Sequence, residues 1–351
     1  MNPNILPLAL GLVIFSFLIT AILVVPFINL LYRIKFTRRL EGAERGKKLL
    51  FDKFHDKKAG TPIGGGVLLI LVVALLFLIV FPLISYMGIF IHSSFNLRYE
   101  LLIIFFTFIS FGLIGLLDDY VKTFGKPTKN IALGKVFGLS KKAKLSLQII
   151  LATTVSIMLY SLLGIHILYI PILNTVLNLG ILYIPFATFI ILLFSNAFNF
   201  TDGLDGLASG LLMIYLFAYI IIAVSNLDTP LFVFIAIWLG SIIAFLYFNV
   251  WPARIWMGDA GALSFGAMIA VIGLLIGNVA VLFVIGGIFV IEAASSVIQL
   301  FSKRFFNRKV FPIAPIHHSF LAMGWEEPKI VMRAWLAGIM LAVFGLWLAT
   351  I

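Results

Sequence analysis

Long runs of apolar residues recur along the whole chain. Each run is roughly 20 residues long, which is the length that an α-helix needs to cross the hydrocarbon core of a bilayer. Short polar segments rich in Gly, Pro and charged residues separate the runs. We therefore predict an all-α, polytopic membrane protein of about ten transmembrane helices, built as one domain over residues 1–351, with spans at 5–32, 66–90, 100–117, 145–165, 179–195, 207–224, 230–248, 261–277, 279–301 and 331–351.

Composition supports this prediction. Hydrophobic residues make up 62% of the chain and charged residues 11%, whereas soluble domains carry about 25% charged residues. The sequence has no cysteine, so disulfides, thiol catalysis and cysteine-ligated metals are excluded.

Basic residues lie almost entirely in alternate loops. The loops 33–65, 118–144, 249–260 and 302–330, with the adjoining end of the last span, carry 24 of the 25 Lys and Arg residues, and Arg98 alone lies on the other side. Because Lys and Arg accumulate in cytoplasmic loops, we expect this face to be cytoplasmic and both termini to lie outside. The net charge of +11 has the same origin, so we expect no nucleic-acid partner.

Five carboxylates cluster at the cytoplasmic ends of three apolar runs. Acids this close to the membrane core are costly unless they bind something, and converging like charges imply a cation. Carboxylate oxygens suit Mg²⁺ or Mn²⁺, which complete their shells with substrate phosphates. Together with the lysines of the same loops, they predict phosphate chemistry at the cytoplasmic face. The five are Asp118, Asp119, Asp202, Asp205 and Asp259.

One polar block follows the fifth span and reads Asn196-Ala-Phe-Asn199-Phe-Thr-Asp202-Gly-Leu-Asp205-Gly. Its four Asn and Asp side chains recur every third residue, so on a helix or 3₁₀ turn they form one ridge that we expect to face a substrate. The two glycines let a ligand approach the backbone closely.

A Pro-broken segment joins the seventh and eighth spans. Pro252 and Gly258 end the preceding helix, so Asp259 begins the next span near its positive dipole end. Trp256 in this segment suits either an interfacial anchor or stacking on a base.

Two further motifs complete the candidate site. Lys58 precedes a Gly-rich segment that leads into the second span, and such backbone favours anions at a helix N-terminus. His317 and His318 stand in a Pro-framed loop and suit phosphate contacts, metal ligation or proton transfer, so we take both as catalytic candidates. Glu292, inside the ninth span, suits either a functional role or a polar bridge between helices.

These motifs together resemble the polyprenyl-phosphate N-acetylhexosamine-1-phosphate transferases (glycosyltransferase family 4), and most closely the muramoyl-pentapeptide branch. The resemblance runs from His55 to Arg333 in the family's motif order. It implies a Mg²⁺-dependent enzyme of the bacterial inner membrane that moves phospho-MurNAc-pentapeptide from UDP-MurNAc-pentapeptide to undecaprenyl phosphate. The products would be lipid I and UMP, as in the first membrane step of peptidoglycan synthesis. The lipid bilayer and a second copy of the chain, as a homodimer, complete the expected partners.

The resemblance also implies roles for individual residues. It gives Asp118, Asp119 and Asp259 as essential acids, with Asp259 and Asn199 at the metal. Two departures stand out, since Ser319 replaces the family's third His and Trp256 replaces the commoner Phe. The remaining matches are the nucleotide-pocket positions Lys58, Asp205, Asn249 and Trp256, and the basic positions near the phosphates, Lys122, Lys126 and Lys144.

Two alternatives remain open on the sequence. The same fold could transfer GlcNAc-1-phosphate from UDP-GlcNAc to a polyprenyl phosphate. An ion-coupled transporter would also bury acids such as Glu292, but it would place them near the middle of the membrane. The acids here cluster at one face, which favours a transferase.

Overall fold

A computed structural model gives the fold. It describes residues 5–39, 58–86, 91–125, 138–226 and 228–351, and the backbone of two short strands at 128–130 and 134–136.

Twelve α-helices make up most of the described chain. Nine of them are long and apolar enough to cross a membrane, and the number is ten if the bent pair α9 and α10 is counted as one span. The prediction of an all-α, polytopic membrane protein with about ten spans is confirmed. The helices are α1 (Ile5–Arg33), α2 (Gly65–Tyr86), α3 (Leu97–Phe124), α4 (Lys141–Leu163), α5 (Tyr183–Thr201), α6 (Leu207–Ser225), α7 (Thr229–Asn249), α8 (Gly258–Ile276), α9 (Val279–Ile285), α10 (Gly287–Phe305), α11 (Ile316–Ala322) and α12 (Glu327–Ala349).

Among the described residues, two pairs of short strands lie between helices, and the apolar pattern of the sequence did not predict them. Strands β1 (Thr128–Asn130) and β2 (Gly134–Val136) pair antiparallel between α3 and α4. Strands β3 (Ile167–Ile170) and β4 (Thr175–Asn178) pair antiparallel between α4 and α5.

Three helices extend past the apolar runs that predicted them. Helix α3 continues to Phe124, α4 begins at Lys141 and α5 reaches Thr201. In α3 and α5 the apolar pattern stops earlier because the last turns carry polar side chains that face protein rather than lipid, whereas the first turn of α4 carries the exposed Lys141 and Lys142. Asp118, Asp119 and Asn199 therefore stand on rigid helices and not in loops.

The ninth predicted span, 279–301, is not one helix. It breaks at Gly286, where α9 and α10 meet at 80°. A Cβ atom at Gly286 would lie 2.6 Å from the Phe194 ring, so only glycine allows this approach. After the break, α10 is amphipathic and buries one polar face that includes Glu292 and Gln299.

Helices α7 and α8 form the centre of the bundle. Helix α8 is buried over 89% of its span, and α7 over 83%. Aromatic side chains fill the space around them: Phe108 of α3 stacks on Phe265 of α8 and meets Trp238 of α7 edge-on.

Close backbone contacts place the start of α8 against α3 and α2. A Cβ atom at Gly115 would lie 2.1 Å from the carbonyl oxygen of Asp259, and one at Gly66 would lie 2.3 Å from the Cα of Gly261. The hydroxyl of Ser264 donates a hydrogen bond to the carbonyl oxygen of Phe108. The absence of side chains at these glycines thus determines how near the carboxylates of α3 and α8 come.

Gly115→Ala should destabilise the protein and reduce its activity, because the added methyl group must push the backbone of Asp259 away. Overpacking of this kind typically costs about 1–3 kcal/mol. The measurement is the midpoint of thermal unfolding in detergent. Gly11→Ala in α1 is the matched control, since a Cβ atom there would meet no atom within 4 Å and Ala favours a helix. Equal midpoints for both variants would contradict the close approach.

Candidate active site

Two carboxylates and two lysines form a compact cluster at one end of α3, α4 and α8. The Nζ atom of Lys122 lies 2.7 Å from an Asp259 oxygen and 3.1 Å from Asp118 Oδ2. The Nζ atom of Lys144 lies 2.9 Å from Asp118 Oδ2 and also bonds Asp259. Lys122 reaches Asp118 because it follows one helical turn later on α3. We call these four side chains the acid–lysine cluster.

Lys144 is held in place by the start of α4. The hydroxyl of Ser140 caps this helix by accepting a hydrogen bond from the backbone N–H of Ala143. The neighbouring N–H of Leu139 donates to Asp118 Oδ1 at 2.7 Å. These contacts join the segment before α4 to the end of α3, and they bring Lys144 to the acid–lysine cluster.

Asp119 has a different environment from its neighbour Asp118. Its two oxygens accept hydrogen bonds from the backbone N–H groups of Asp259 and Ala260, both at 3.0 Å. These donors belong to the first turn of α8, whose N–H groups have no partner within the helix. Asp119 therefore caps α8 and fixes the position of Asp259 relative to α3.

A first cavity of about 150 Å³ opens beside the acid–lysine cluster. Asn199 of α5 lines it and donates a hydrogen bond from Nδ2 to Asp259 Oδ1 at 3.1 Å. Three basic and three acidic side chains share its wall, which suits a ligand that carries negative charge together with a cation. The charged residues are Arg38, Arg39, Lys122, Asp119, Asp202 and Asp259.

Asp202 follows α5 and also lines the first cavity. Burial raises the pKa of this carboxyl from 3.8 to about 7, and the nearby negative charge of Asp259 adds to the shift. Asp202 therefore exchanges a proton near neutral pH.

A second cavity of about 450 Å³ lies on the other side of Trp256, which lines both. Lys58 bonds Asp205 Oδ1 at 2.8 Å, and its Nζ atom lies 4.7 Å from the centre of the Trp256 ring. Asp205 Oδ2 accepts a hydrogen bond from the N–H of Ala253 at 2.9 Å. Glu327, at the start of α12, bonds the same lysine. The second cavity thus combines an aromatic wall with donors and acceptors of hydrogen bonds.

The segment before α2 is attached directly to the segment before α8. The N–H of Trp256 donates to the carbonyl oxygen of Pro62, and the N–H groups of Gly65 and Gly66 donate to the carbonyl oxygens of Trp256 and Met257. These bonds set Lys58 beside Trp256, although the two are far apart in sequence.

The paired histidines lie beside the turn that carries Asp202 and Asp205. His317 Nδ1 lies 3.0 Å from an oxygen of Glu292, which fixes the ring. Its Nε2 is buried without a hydrogen-bond partner among the described residues, and a Cβ atom at Gly203 would lie 2.4 Å from it. Burial lowers the pKa of His318, which lines the second cavity, to about 2, so this ring is neutral at physiological pH.

The structure does not bring every candidate residue to a cavity. Asn196 donates hydrogen bonds to Gln148 and to a carbonyl oxygen of its own helix, and Asn249 is bonded to Ser209 and to the carbonyl oxygen of Ile255. Neither lines the first or the second cavity, so the four polar side chains of the 196–205 block do not form one ridge. Helix α5 ends at Thr201, and the following turn redirects Asp202 and Asp205. Lys126 lies outside the described residues.

Three residues of the site were missed in the sequence. Arg38 and Arg39 line the first cavity and Glu327 lines the second. The arginines were counted only as part of the cytoplasmic charge, and Glu327 follows Glu326 in an ordinary helix start. The residue types at these three positions do not indicate a site, because the residues reach the cavities only through contacts between distant parts of the chain.

The donor set at the first cavity fits a hard divalent ion. Asp259 and Asn199 line this cavity and offer carboxylate and amide oxygens, whereas Asp118 bonds Lys122 and Lys144 and does not line it. Within the described residues, no three acidic or imidazole side chains gather to enclose a metal by themselves. Mg²⁺ suits such a site, because it takes one or two carboxylates and fills its remaining positions with water and phosphate oxygens.

A family model and similar curated proteins indicate the same family for this chain. Residues 101–277 match the family model described as glycosyl transferase family 4. The chain is 32% identical over 336 residues to the phospho-N-acetylmuramoyl-pentapeptide-transferase of Bacillus subtilis, which covers 96% of each chain. It is 36% identical over 343 residues to the protein of that name from Staphylococcus saprophyticus, covering 96% of this chain and 98% of the relative.

Asp202→Asn should alter how stability depends on pH. The raised pKa means that the unfolded chain ionises Asp202 at a lower pH than the folded protein does. The wild type should therefore lose stability relative to the variant as pH rises from about 4 to about 7, with a constant difference above that range. The measurement is the difference in thermal unfolding midpoint between wild type and variant across this pH range. Glu326→Gln is the control, because Glu326 is an exposed carboxylate. Parallel curves for wild type and Asp202→Asn would refute the assignment.

Proposed function

Because the chain belongs to the phospho-N-acetylmuramoyl-pentapeptide-transferase family within glycosyl transferase family 4, we propose that it transfers phospho-MurNAc-pentapeptide from UDP-MurNAc-pentapeptide to undecaprenyl phosphate. The products are lipid I and UMP. The observation that carries the proposal is the acid–lysine cluster, of which Lys122 and Asp259 line the first cavity, with an aromatic, hydrogen-bonding cavity beside it. This pair of cavities offers separate places for the phosphates and the base of a nucleotide.

The charge of each cavity supports this division of the nucleotide. In the first cavity Arg38, Arg39 and Lys122 provide cations for the diphosphate. In the second, the carboxylates of Asp205 and Glu327 exceed the single charge of Lys58, which disfavours phosphate and suits an uncharged base. Trp256, between the two, offers a ring on which uracil can stack.

The reaction needs little proton transfer. An oxygen of the lipid phosphate attacks the phosphorus that bears the sugar, and the bond from that phosphorus to the bridging oxygen breaks, so that UMP leaves with the electron pair. A phosphate monoester is largely ionised at neutral pH, since its second pKa is about 6. Lys122 and Lys144 offset the repulsion between the two anions, and Asp118, which bonds both lysines, positions the nucleophile through them. We propose direct attack, because positioning and electrostatics carry most phosphoryl transfers.

Magnesium is the proposed cofactor. Asp259 and Asn199 would hold it, and its charge would stabilise the negative charge on the leaving UMP. The role of the protein is to present these two oxygen ligands at the first cavity, where Asp119 fixes Asp259.

A third cavity suits the isoprenoid acceptor. It measures about 320 Å³, has an almost entirely apolar wall between α6, α10, α11 and α12, and includes Glu292, His317 and Arg333 as polar members. Arg333 lies over the ring of Trp325, with Cζ 4.4 Å from its centre. We place part of the undecaprenyl chain here, because His317 also adjoins the turn that carries Asp202.

UMP release from membrane vesicles tests both the reaction and its orientation. Vesicles that contain the protein should release UMP from UDP-MurNAc-pentapeptide only when undecaprenyl phosphate is present, and UDP-GlcNAc should give little product. Sugar nucleotides do not cross a bilayer, so inverted vesicles should be active and sealed right-side-out vesicles inactive if the site faces the cytoplasm of a bacterial inner membrane. Efficient use of UDP-GlcNAc would reassign the substrate, and activity in right-side-out vesicles would reverse the orientation.

Asp259→Asn should lower turnover about 10²–10³-fold, because a central electrostatic contact loses its charge. The measurement is UMP release against Mg²⁺ concentration, and added Mg²⁺ should rescue the variant poorly. Glu292→Gln is the comparison: its partner is His317 and not the acid–lysine cluster, so its Mg²⁺ midpoint should match the wild type even where its turnover falls. A normal Mg²⁺ curve for Asp259→Asn, or full wild-type activity in chelator, would remove Asp259 from the metal site.

A further inference from the structure

Glu327 makes contacts that reach well beyond its own helix. It stands in the first turn of α12, where an acidic side chain ordinarily turns back to the free N–H groups of the same helix. Here its Oε1 accepts a hydrogen bond from the backbone N–H of Asp205 at 2.7 Å and bonds the ammonium of Lys58. Both partners belong to distant parts of the chain that line the second cavity.

The three side chains form one connected set. Lys58 lies between two carboxylates, those of Asp205 and Glu327, and Glu327 also holds the main chain of Asp205. The side chains are only 14%, 5% and 13% exposed. Buried charges in such a set restrain one another strongly, because none can move without leaving a partner unpaired.

A second contact attaches α12 to the same turn. Trp335 donates a hydrogen bond from Nε1 to the carbonyl oxygen of Gly206 at 3.2 Å, two helical turns beyond Glu327. A Cβ atom at Gly210 would lie 2.1 Å from the Trp335 ring, so the indole packs directly on the start of α6. Helix α12 therefore holds the 202–206 turn at two points, although it lies outside the residues 101–277 that match the family model.

The positions of Lys58 and Asp205 decide which hydrogen bonds a base meets in the second cavity. Lys58 bonds both carboxylates at once, and Asp205 Oδ2 accepts the N–H of Ala253, so both oxygens of Asp205 are engaged. A carboxylate has about four acceptor sites, so Asp205 keeps acceptor capacity beside these bonds. Glu327 fixes where that capacity lies, because it holds both the main chain of Asp205 and the ammonium of Lys58. The N–H of uracil needs an acceptor at this position, whereas cytosine presents an acceptor there itself.

We propose that Glu327 is a positioning residue for the nucleobase, which sets Lys58 and Asp205 in the arrangement that selects uracil. This inference rests on the proposed function, because it assigns the second cavity to the base of the sugar nucleotide.

Steady-state kinetics of two variants test the inference. Glu327→Ala removes both contacts and should raise KM for the sugar nucleotide about tenfold or more, which is the usual effect of losing a charged hydrogen bond. Glu327→Gln keeps an acceptor for the N–H of Asp205 but loses the ion pair with Lys58, so its KM should rise less. KM for undecaprenyl phosphate and kcat should stay within about twofold of wild type, since neither variant touches the acid–lysine cluster.

Product inhibition by UMP and by CMP distinguishes a positioning role from a purely structural one. A structural defect would weaken inhibition by both nucleotides equally and leave the preference for UMP unchanged. The wild type should be inhibited more strongly by UMP, and both Glu327 variants should lose part of this preference. Glu326→Gln is the matched control, because the neighbouring carboxylate is exposed and makes no capping bond. It should leave KM and the UMP preference unchanged.

The outcomes separate this inference from the function on which it rests. An unchanged KM and an unchanged UMP preference in Glu327→Gln would overturn the role of Glu327 while the transferase activity stands. If Glu327→Ala fails to fold, Glu327→Gln alone decides, since it is nearly isosteric. A wild-type protein that releases no UMP would overturn the proposed function and this inference with it.

Discussion

The capping of α8 by Asp119 is the interaction on which the rest of the site depends. Its carboxylate accepts the N–H groups of Asp259 and Ala260, and the bare backbone at Gly115 lets α3 and α8 approach closely enough for these bonds. A capped N-terminus fixes both the position and the direction of the first turn. Asp259 is thereby aimed at the first cavity within reach of Lys122 and Lys144.

The same interaction explains why two adjacent acids have different roles. Successive residues on a helix point about 100° apart, so Asp118 and Asp119 cannot face one partner. Asp119 turns to the backbone of α8, while Asp118 turns to the lysines and to the N–H of Leu139. Asp119 thus fixes α8 beside the first cavity, and Asp118 holds the two lysines of the acid–lysine cluster.

Much of the fold could be predicted from the sequence, because a membrane span has a strong and simple signature. The spans and the membrane class followed from apolar length alone, and Asp259 stands at the start of α8 as its broken preceding segment indicated. The exact ends of α3 and α5 could not follow, since polar residues there face protein instead of water or lipid. The break at Gly286 was also hidden, because a glycine within an apolar run is typical of ordinary helix packing.

The candidate site was only partly predictable for a related reason. Motif residues such as Lys58, Asp205 and Trp256 meet at one cavity, as their grouping suggested. Asn196 and Asn249 belong to the same motifs but line neither cavity. Asn196 bonds Gln148 of α4 and Asn249 bonds the carbonyl oxygen of Ile255, so both hold elements of the site together. Spacing in sequence gives the helix face of a residue, but it does not give the chain that packs against that face.

The acid–lysine cluster has one consequence for the order in which ligands bind. Its two carboxylates and two ammonium groups sum to zero charge. A neutral cluster attracts neither a lone divalent cation nor a lone diphosphate strongly, because either one must separate ion pairs that are already satisfied. If both arrive together, the cation would take the carboxylates and the diphosphate would take the lysines, so every charge would exchange one partner for another. Under the proposed function, cation and nucleotide would then bind with positive cooperativity, each raising the affinity for the other by the same factor.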